Sequence, residues 1–263
     1  MTAETPPPRG PAILACRKVG DADRPALVLL HGFGGSGHHF DSVAGELSGI
    51  AQIYLPDLPG HGQSRAVPGS RHAKAAAEAV LATLWSLGRE RFHLAGFSFG
   101  GAVACLVALT APERVLSLTL LAPGGFGPEI AAGELRAFAV ARTRQELTAG
   151  LEGMMAPGAP VAQAELAQLV RERADGALVT ELAAIAAAIT RDGRQGAIPR
   201  SELARIACPV RVVWGSADPV LPVSQSADLP PQFDLRIVPG AGHMLADEAR
   251  EAVLDALRAS VSS

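Results

Sequence analysis

The chain has 263 residues, 48% of them hydrophobic, and a formal net charge of −3. That is room for one large α/β domain, or for one domain carrying a sizeable insertion, and it argues against intrinsic disorder. Arg, Asp and Glu are interspersed with no basic stripe or acidic tail, so neither nucleic acid nor a membrane surface is indicated as a partner. Three cysteines, Cys16, Cys105 and Cys208, have no regular spacing. They outline no disulfide framework and no zinc site, and read as buried or half-buried thiols of a reducing compartment. Residues 1–11 are rich in Pro and read as a short disordered tail, without the apolar stretch of a signal peptide. No run approaches the roughly 18 apolar residues of a membrane span. The expectation is a soluble, cytoplasmic protein.

Taken in order, Ala26 to Leu30 is a short, wholly apolar run closed by His31-Gly32, the pattern of a buried parallel strand. A second run, Ala51 to Leu55, ends at Pro56-Asp57 and a turn-rich Pro59-Gly60-His61-Gly62. Ala- and Leu-rich sequence from Lys74 to Leu87 predicts a helix stopped by Gly88. A strand over Phe92 to Ala95, a glycine-rich turn, a helix from Phe99 to about Thr110 and a strand over Leu116 to Leu121 follow, with Pro112 just past the helix. This alternation implies right-handed βαβ units and a mostly parallel sheet covered on both faces. The rhythm then stops. Residues 127–203 show helical segments and no convincing strand; Leu178, Leu182, Ile185 and Ile189 recur at helical spacing. Strands return at Val210 to Trp214 and near Leu235 to Val238. A closing helix begins near Leu245, with Leu245, Ala249, Val253 and Leu257 on one face. The expected organisation is a core of residues 12–126 and 204–263 with a helical insertion over 127–203.

Gly96-Phe97-Ser98-Phe99-Gly100-Gly101 fits G-x-S-x-G between an apolar strand and an apolar helix, the setting that motif requires. A serine on such a turn is forced into a strained backbone, with its hydroxyl above the sheet at a helix N-terminus. A neutral hydroxyl still needs a base, and the base needs a third group to orient it. His243, in the loop between the last strand and the last helix, is the candidate base. Asp218, in Trp214-Gly215-Ser216-Ala217-Asp218-Pro219, is the candidate acid. The order Ser, Asp, His places each residue at the C-terminal end of a successive strand, where open parallel sheets bind ligands. An oxyanion hole is expected from the amide of Phe99 and from the loop His31-Gly32-Phe33-Gly34-Gly35, with Phe33 preferred over Gly34 as donor. Gly34, Phe97 and Phe126 are taken to line an apolar substrate pocket. His31 is expected to brace its loop and His61 to be structural. His38, His39, His72 and His93 form no metal-ligand pattern, and no dinucleotide or Walker motif is present. No metal and no cofactor are expected.

These residues resemble the α/β-hydrolase superfamily across the whole ordered length. The likeness is carried by His31 to Gly35, Asp57-Leu58-Pro59-Gly60-His61-Gly62-Gln63-Ser64, Gly96 to Gly101, Asp218 and Gly242-His243. It implies an α/β-hydrolase fold with a helical lid inserted after the sixth strand of the usual scheme. Leu121 to Ile130, Arg142 to Leu147 and Gly193-Arg194-Gln195 are similar, more narrowly, to the hydrolase-like domain of the acetoin dehydrogenase dihydrolipoamide acetyltransferase component. Lys18 and Lys74 are the only lysines and neither sits in a lipoyl-type hairpin, so no lipoyl arm is expected in this chain. Ser98 argues against epoxide hydrolases and haloalkane dehalogenases, which place an aspartate at that turn. Phe33 and Phe97 depart from the carbon–carbon bond hydrolases, which show a glycine-rich oxyanion loop and Asn before Ser. The reading is a serine hydrolase acting on a small-molecule acyl substrate, with an acyltransferase or a carbon–carbon bond hydrolase as alternatives. The insertion would set substrate size, or equally serve as the face of a homodimer.

Overall fold

The computed structural model describes residues 12–262. The expected tail over residues 1–11 lies outside the described residues. In chain order the elements are β1 (Cys16–Val19), β2 (Ala26–Leu30), α1 (Asp41–Leu47), β3 (Gln52–Pro56), α2 (Ala73–Ser86), β4 (Phe92–Phe97), α3 (Phe99–Thr110) and β5 (Val115–Leu121). Then come α4 (Ala132–Val140), α5 (Arg144–Glu152), α6 (Gln163–Glu172), α7 (Gly176–Ile189) and α8 (Arg200–Leu203). The chain closes with β6 (Val210–Gly215), β7 (Phe233–Val238), α9 (Leu245–Glu248) and α10 (Arg250–Val261).

Among the described residues seven strands form one sheet, in the order β1-β3-β2-β4-β5-β6-β7. All neighbours are parallel except β1, which runs antiparallel to β3. The central strands β2 and β4 are buried at every position, which is why they read as continuous apolar runs. From β2 the chain steps outward to β3 and then back across to β4. The sheet order reverses there, opening the crevice in which α/β sheets bind ligands.

Between β5 and β6 the chain builds α4 to α8. α5 opens with a capping box: the Thr143 hydroxyl accepts from the Glu146 amide, and the Glu146 carboxylate accepts from the Thr143 amide. Leu178, Leu182 and Ile185 of α7 are buried, as their spacing predicts, and α7 packs on α4. The helical segment is tied to the sheet by Arg173, at the end of α6. Its guanidinium, wholly buried, donates to the Phe138 and Ala139 carbonyls and to the Gly34 carbonyl, each at 3.0 Å. It also lies over the Phe138 ring, 5.0 Å from its centroid. Burial lowers its pKa to about 10, still far above neutrality, so one cation satisfies three carbonyls belonging to two parts of the chain.

Candidate active site

Ser98 caps α3 with φ +52° and ψ −119°, a left-handed conformation rare for a residue carrying a Cβ. The turn is possible because its neighbours lack side chains. A Cβ on Gly96 would run into the Gly100 carbonyl, and one on Gly100 into the Leu30 and His31 carbonyls of the adjacent strand end. The Ser98 amide donates to the Leu121 carbonyl at 3.0 Å, and its own carbonyl accepts from Gly101 and Gly124, each at 2.8 Å. The strained backbone is therefore held from both sides.

Ser98 Oγ lies 3.0 Å from His243 Nε2, and His243 Nδ1 lies 2.8 Å from Asp218 Oδ2. Asp218 and His243 are buried, while Ser98 is half-buried. The other Asp218 oxygen, Oδ1, accepts the Val220 and Leu221 amides at 2.8 and 2.9 Å. The Trp214 indole N–H donates to the Leu221 carbonyl at 3.0 Å, clamping the same turn onto β6. The carboxylate can only present Oδ2 to the imidazole, which fixes Nδ1 as the protonated nitrogen and leaves Nε2 to accept from the serine. Such an array can deprotonate Ser98 as it attacks a carbonyl.

Neither the Phe33 nor the Phe99 amide has a hydrogen-bond acceptor among the described residues, and both residues stand with Ser98 in the wall of one cavity. The loop carrying Phe33 is braced by His31. Its Nδ1 donates to the Gly32 carbonyl at 2.8 Å, and its Nε2 accepts the Leu58 amide at 2.9 Å. Burial lowers the His31 pKa, in keeping with the neutral tautomer those two bonds require. Burial, with His31 beside it, lowers the pKa of His61 to about 3. It holds the Pro59 carbonyl at 3.0 Å and makes no contact with Ser98 or His243 that would give it a share in the proton transfer.

Two cavities meet at Ser98 and Phe33. The larger, about 370 Å³, has mostly apolar walls, among them Phe99, Leu106, Ile130, Leu135, Ile189 and Leu221. The smaller, about 30 Å³, reaches His243 and is closed by Phe97, Phe138, Leu151 and Met154. Of the three residues expected to line a pocket, only Phe97 does so, in the smaller chamber. Gly34 faces the Phe138 ring and Arg173, and its carbonyl is engaged by that guanidinium. Phe126 packs inward against Trp214, ring centroids 6.0 Å apart, with the Arg200 guanidinium over its face. Both positions are taken up by packing.

Several residues at the site escape sequence reasoning. Glu248, on α9, accepts the Gly242 and Met244 amides at 2.9 and 3.0 Å and the Ala156 amide at 2.8 Å. The His243 amide itself donates to the Met154 carbonyl at 3.0 Å. One carboxylate thus locks the histidine loop to the end of α5. Glu248→Ala should lower kcat on the order of 10²-fold, because a misplaced base costs about that much, and Glu248→Gln should recover part of the loss. Turnover paired with a thermal melt checks this; a rate within twofold of wild type would remove Glu248 from this positioning role. Gln195 joins two of the three segments of the narrower sequence likeness. Its Oε1 accepts the Gly125 amide at 3.0 Å, and its Nε2 donates to the Glu129 carbonyl at 3.2 Å. His39, buried, stacks on Phe97 at 4.7 Å, and Phe97 in turn touches His243 at 4.8 Å. Its Nδ1 lies 2.8 Å from Glu165 Oε1 on α6. Burial would lower the His39 pKa, but the attraction and hydrogen bond of Glu165 outweigh it and raise the pKa; His39 likewise lowers that of Glu165 against burial. No sequence signal links His39 to a carboxylate 126 residues away. Among the described residues no group of three or more His, Cys, Asp or Glu side chains could hold a metal ion, and no helix is long and apolar enough to cross a membrane.

Fold and site together define an α/β protein with a serine–histidine–aspartate array at the carboxyl ends of its parallel strands. Residues 27–256 match the model of the Alpha/beta hydrolase family, and the chain belongs to that family. It is similar to the dihydrolipoyllysine-residue acetyltransferase component of the acetoin cleaving system of Cupriavidus necator, at 36% identity over 87% of this chain and 60% of that protein. The counterpart from Pseudomonas putida is 34% identical over 93% of this chain and 65% of its own length. The chain therefore spans 60–65% of the length of these relatives. Among solved structures, 2-hydroxy-6-oxo-6-phenylhexa-2,4-dienoate hydrolase from Rhodococcus sp. strain RHA1 superposes with a TM-score of 0.81 at 20% identity, covering 94% of each chain. That likeness is one of fold.

Proposed function

We propose that this protein is a serine hydrolase that cleaves a small ester or related acyl substrate through an acyl-enzyme on Ser98. The observation that carries this reading is the hydrogen-bonded chain from Ser98 Oγ through His243 to Asp218, at 3.0 and 2.8 Å. Ser98 Oγ bonds to the carbonyl carbon while its proton passes to His243 Nε2, and Asp218 stabilises the resulting imidazolium. The oxyanion faces the free amides of Phe33 and Phe99. On collapse the carbon–oxygen bond to the alcohol breaks, and the alcohol leaves with the His243 proton. Water, deprotonated by the same histidine, then attacks the acyl-enzyme, and the acid departs as Ser98 regains its proton. The helical segment over the site would act as a lid, limiting substrate size and excluding water.

The acetyltransferase components that this chain resembles favour a second reading, in which a thiol resolves the same acyl-enzyme in place of water. Product analysis separates the two. With p-nitrophenyl acetate and millimolar dihydrolipoamide, hydrolysis predicts acetate as the main product at every thiol concentration. Thioester as the dominant product, with acetate suppressed, would move the assignment to acyl transfer.

A further inference from the structure

Resting on the hydrolase reading above, the shape of the site divides the substrate. Proton donation from His243 Nε2 to the departing oxygen requires the alcohol half to lie within hydrogen-bond reach of that nitrogen. Of the two cavities that meet at Ser98, only the small one is walled by His243. At about 30 Å³ it has room for roughly two water-sized groups, since one water needs about 10–15 Å³. Phe97, Leu151 and Met154 close it. His39 and Glu165, bonded to each other at 2.8 Å, are the polar groups of its wall besides Ser98 and His243. The chamber suits a small alcohol, then the attacking water.

The acyl chain is left the larger cavity, which at about 370 Å³ falls within the range of small-molecule pockets. Its exposed rim is formed in part by Arg71, His72 and Lys74, and among the described residues no acidic side chain lines it. Arg71 pairs with Glu181 at 3.6 Å, while Lys74 forms no salt bridge among the described residues. We infer that the substrate is an ester of a one- or two-carbon alcohol whose apolar acyl chain ends in an anionic group. Such a division disfavours bulky leaving groups, including pantetheine-type thiols.

Four esters test this on the full chain: methyl octanoate, octyl acetate, monomethyl suberate and butyl octanoate, each read as kcat/KM, with fluorophosphonate labelling of Ser98 measured on the same preparation. Methyl octanoate should exceed octyl acetate by about a hundredfold, since misplaced methylenes cost roughly 10–200-fold each way in such pockets. Monomethyl suberate should exceed methyl octanoate by about three- to tenfold, the range of one or two partly exposed charge pairs, and Lys74→Glu should bring that ratio to about one. Met154→Ala, which widens the small chamber, should raise the butyl-to-methyl ratio. Octyl acetate preferred over methyl octanoate would reverse the division, and equal rates for the charged and neutral methyl esters would remove the anion. A labelled protein that turns over none of the four overturns this substrate class alone. A protein neither labelled nor active overturns the hydrolase reading beneath it.

Discussion

Ser98→Ala is expected to lower kcat for ester hydrolysis by about 10⁴-fold or more while leaving the thermal midpoint within a few degrees of wild type. The substitution removes one oxygen, 3.0 Å from His243 Nε2, and nothing else in the array. Alanine meets the same backbone cost as serine at φ +52°, and the amide and carbonyl bonds that hold the turn do not involve the side chain. The remaining slow hydrolysis would come from water polarised by His243 at the oxyanion site. Steady-state kinetics beside a melting curve check it: a folded variant within tenfold of wild type would mean that Ser98 is not the nucleophile.

Asp218→Asn is expected to cost nearly as much, about 10⁴-fold in kcat, through the tautomer of His243. An asparagine keeps the acceptor for the Val220 and Leu221 amides, so its NH₂ must face His243 Nδ1 where Oδ2 now sits. That nitrogen becomes an acceptor, the ring proton moves to Nε2, and the imidazole can no longer take a proton from Ser98. KM should change little, because Asp218 lines neither cavity. A loss below tenfold, with fold retained, would contradict the orienting role.

How much of this was legible in the sequence follows from where the physical signal is local. β2 and α3 lie where their apolar runs place them, because burial on both faces leaves no polar position to blur the pattern. β1 gives no such signal: Cys16-Arg17-Lys18-Val19 is short and half-exposed at the sheet edge, so it carries no hydrophobic alternation. α1 gives none either, being two turns interrupted by Gly45. The closing helix breaks in two at Ala249, whose φ of −138° ends α9, although Leu245, Ala249, Val253 and Leu257 are all buried as one face predicts. At the site, the meeting of Ser98, Asp218 and His243 within hydrogen-bond distance is legible because each sits on a turn with its own chemistry at a strand end. The pocket is not. Phe126 and Gly34 are spoken for by Trp214 and Arg173, and the walls come from α4, α7 and the segment around Gln195, far apart in sequence. The Glu248 bond to the Ala156 amide and the His39–Glu165 pair belong to the same category, contacts that exist only once the helical segment has docked.

The most direct test of the central claim, an activated serine at position 98, is intact-mass spectrometry after exposure to a fluorophosphonate probe, on wild type and Ser98→Ala. The geometry predicts one adduct per wild-type chain and none on the variant. An unlabelled, folded wild type, or a variant labelled as fully as wild type, would contradict it.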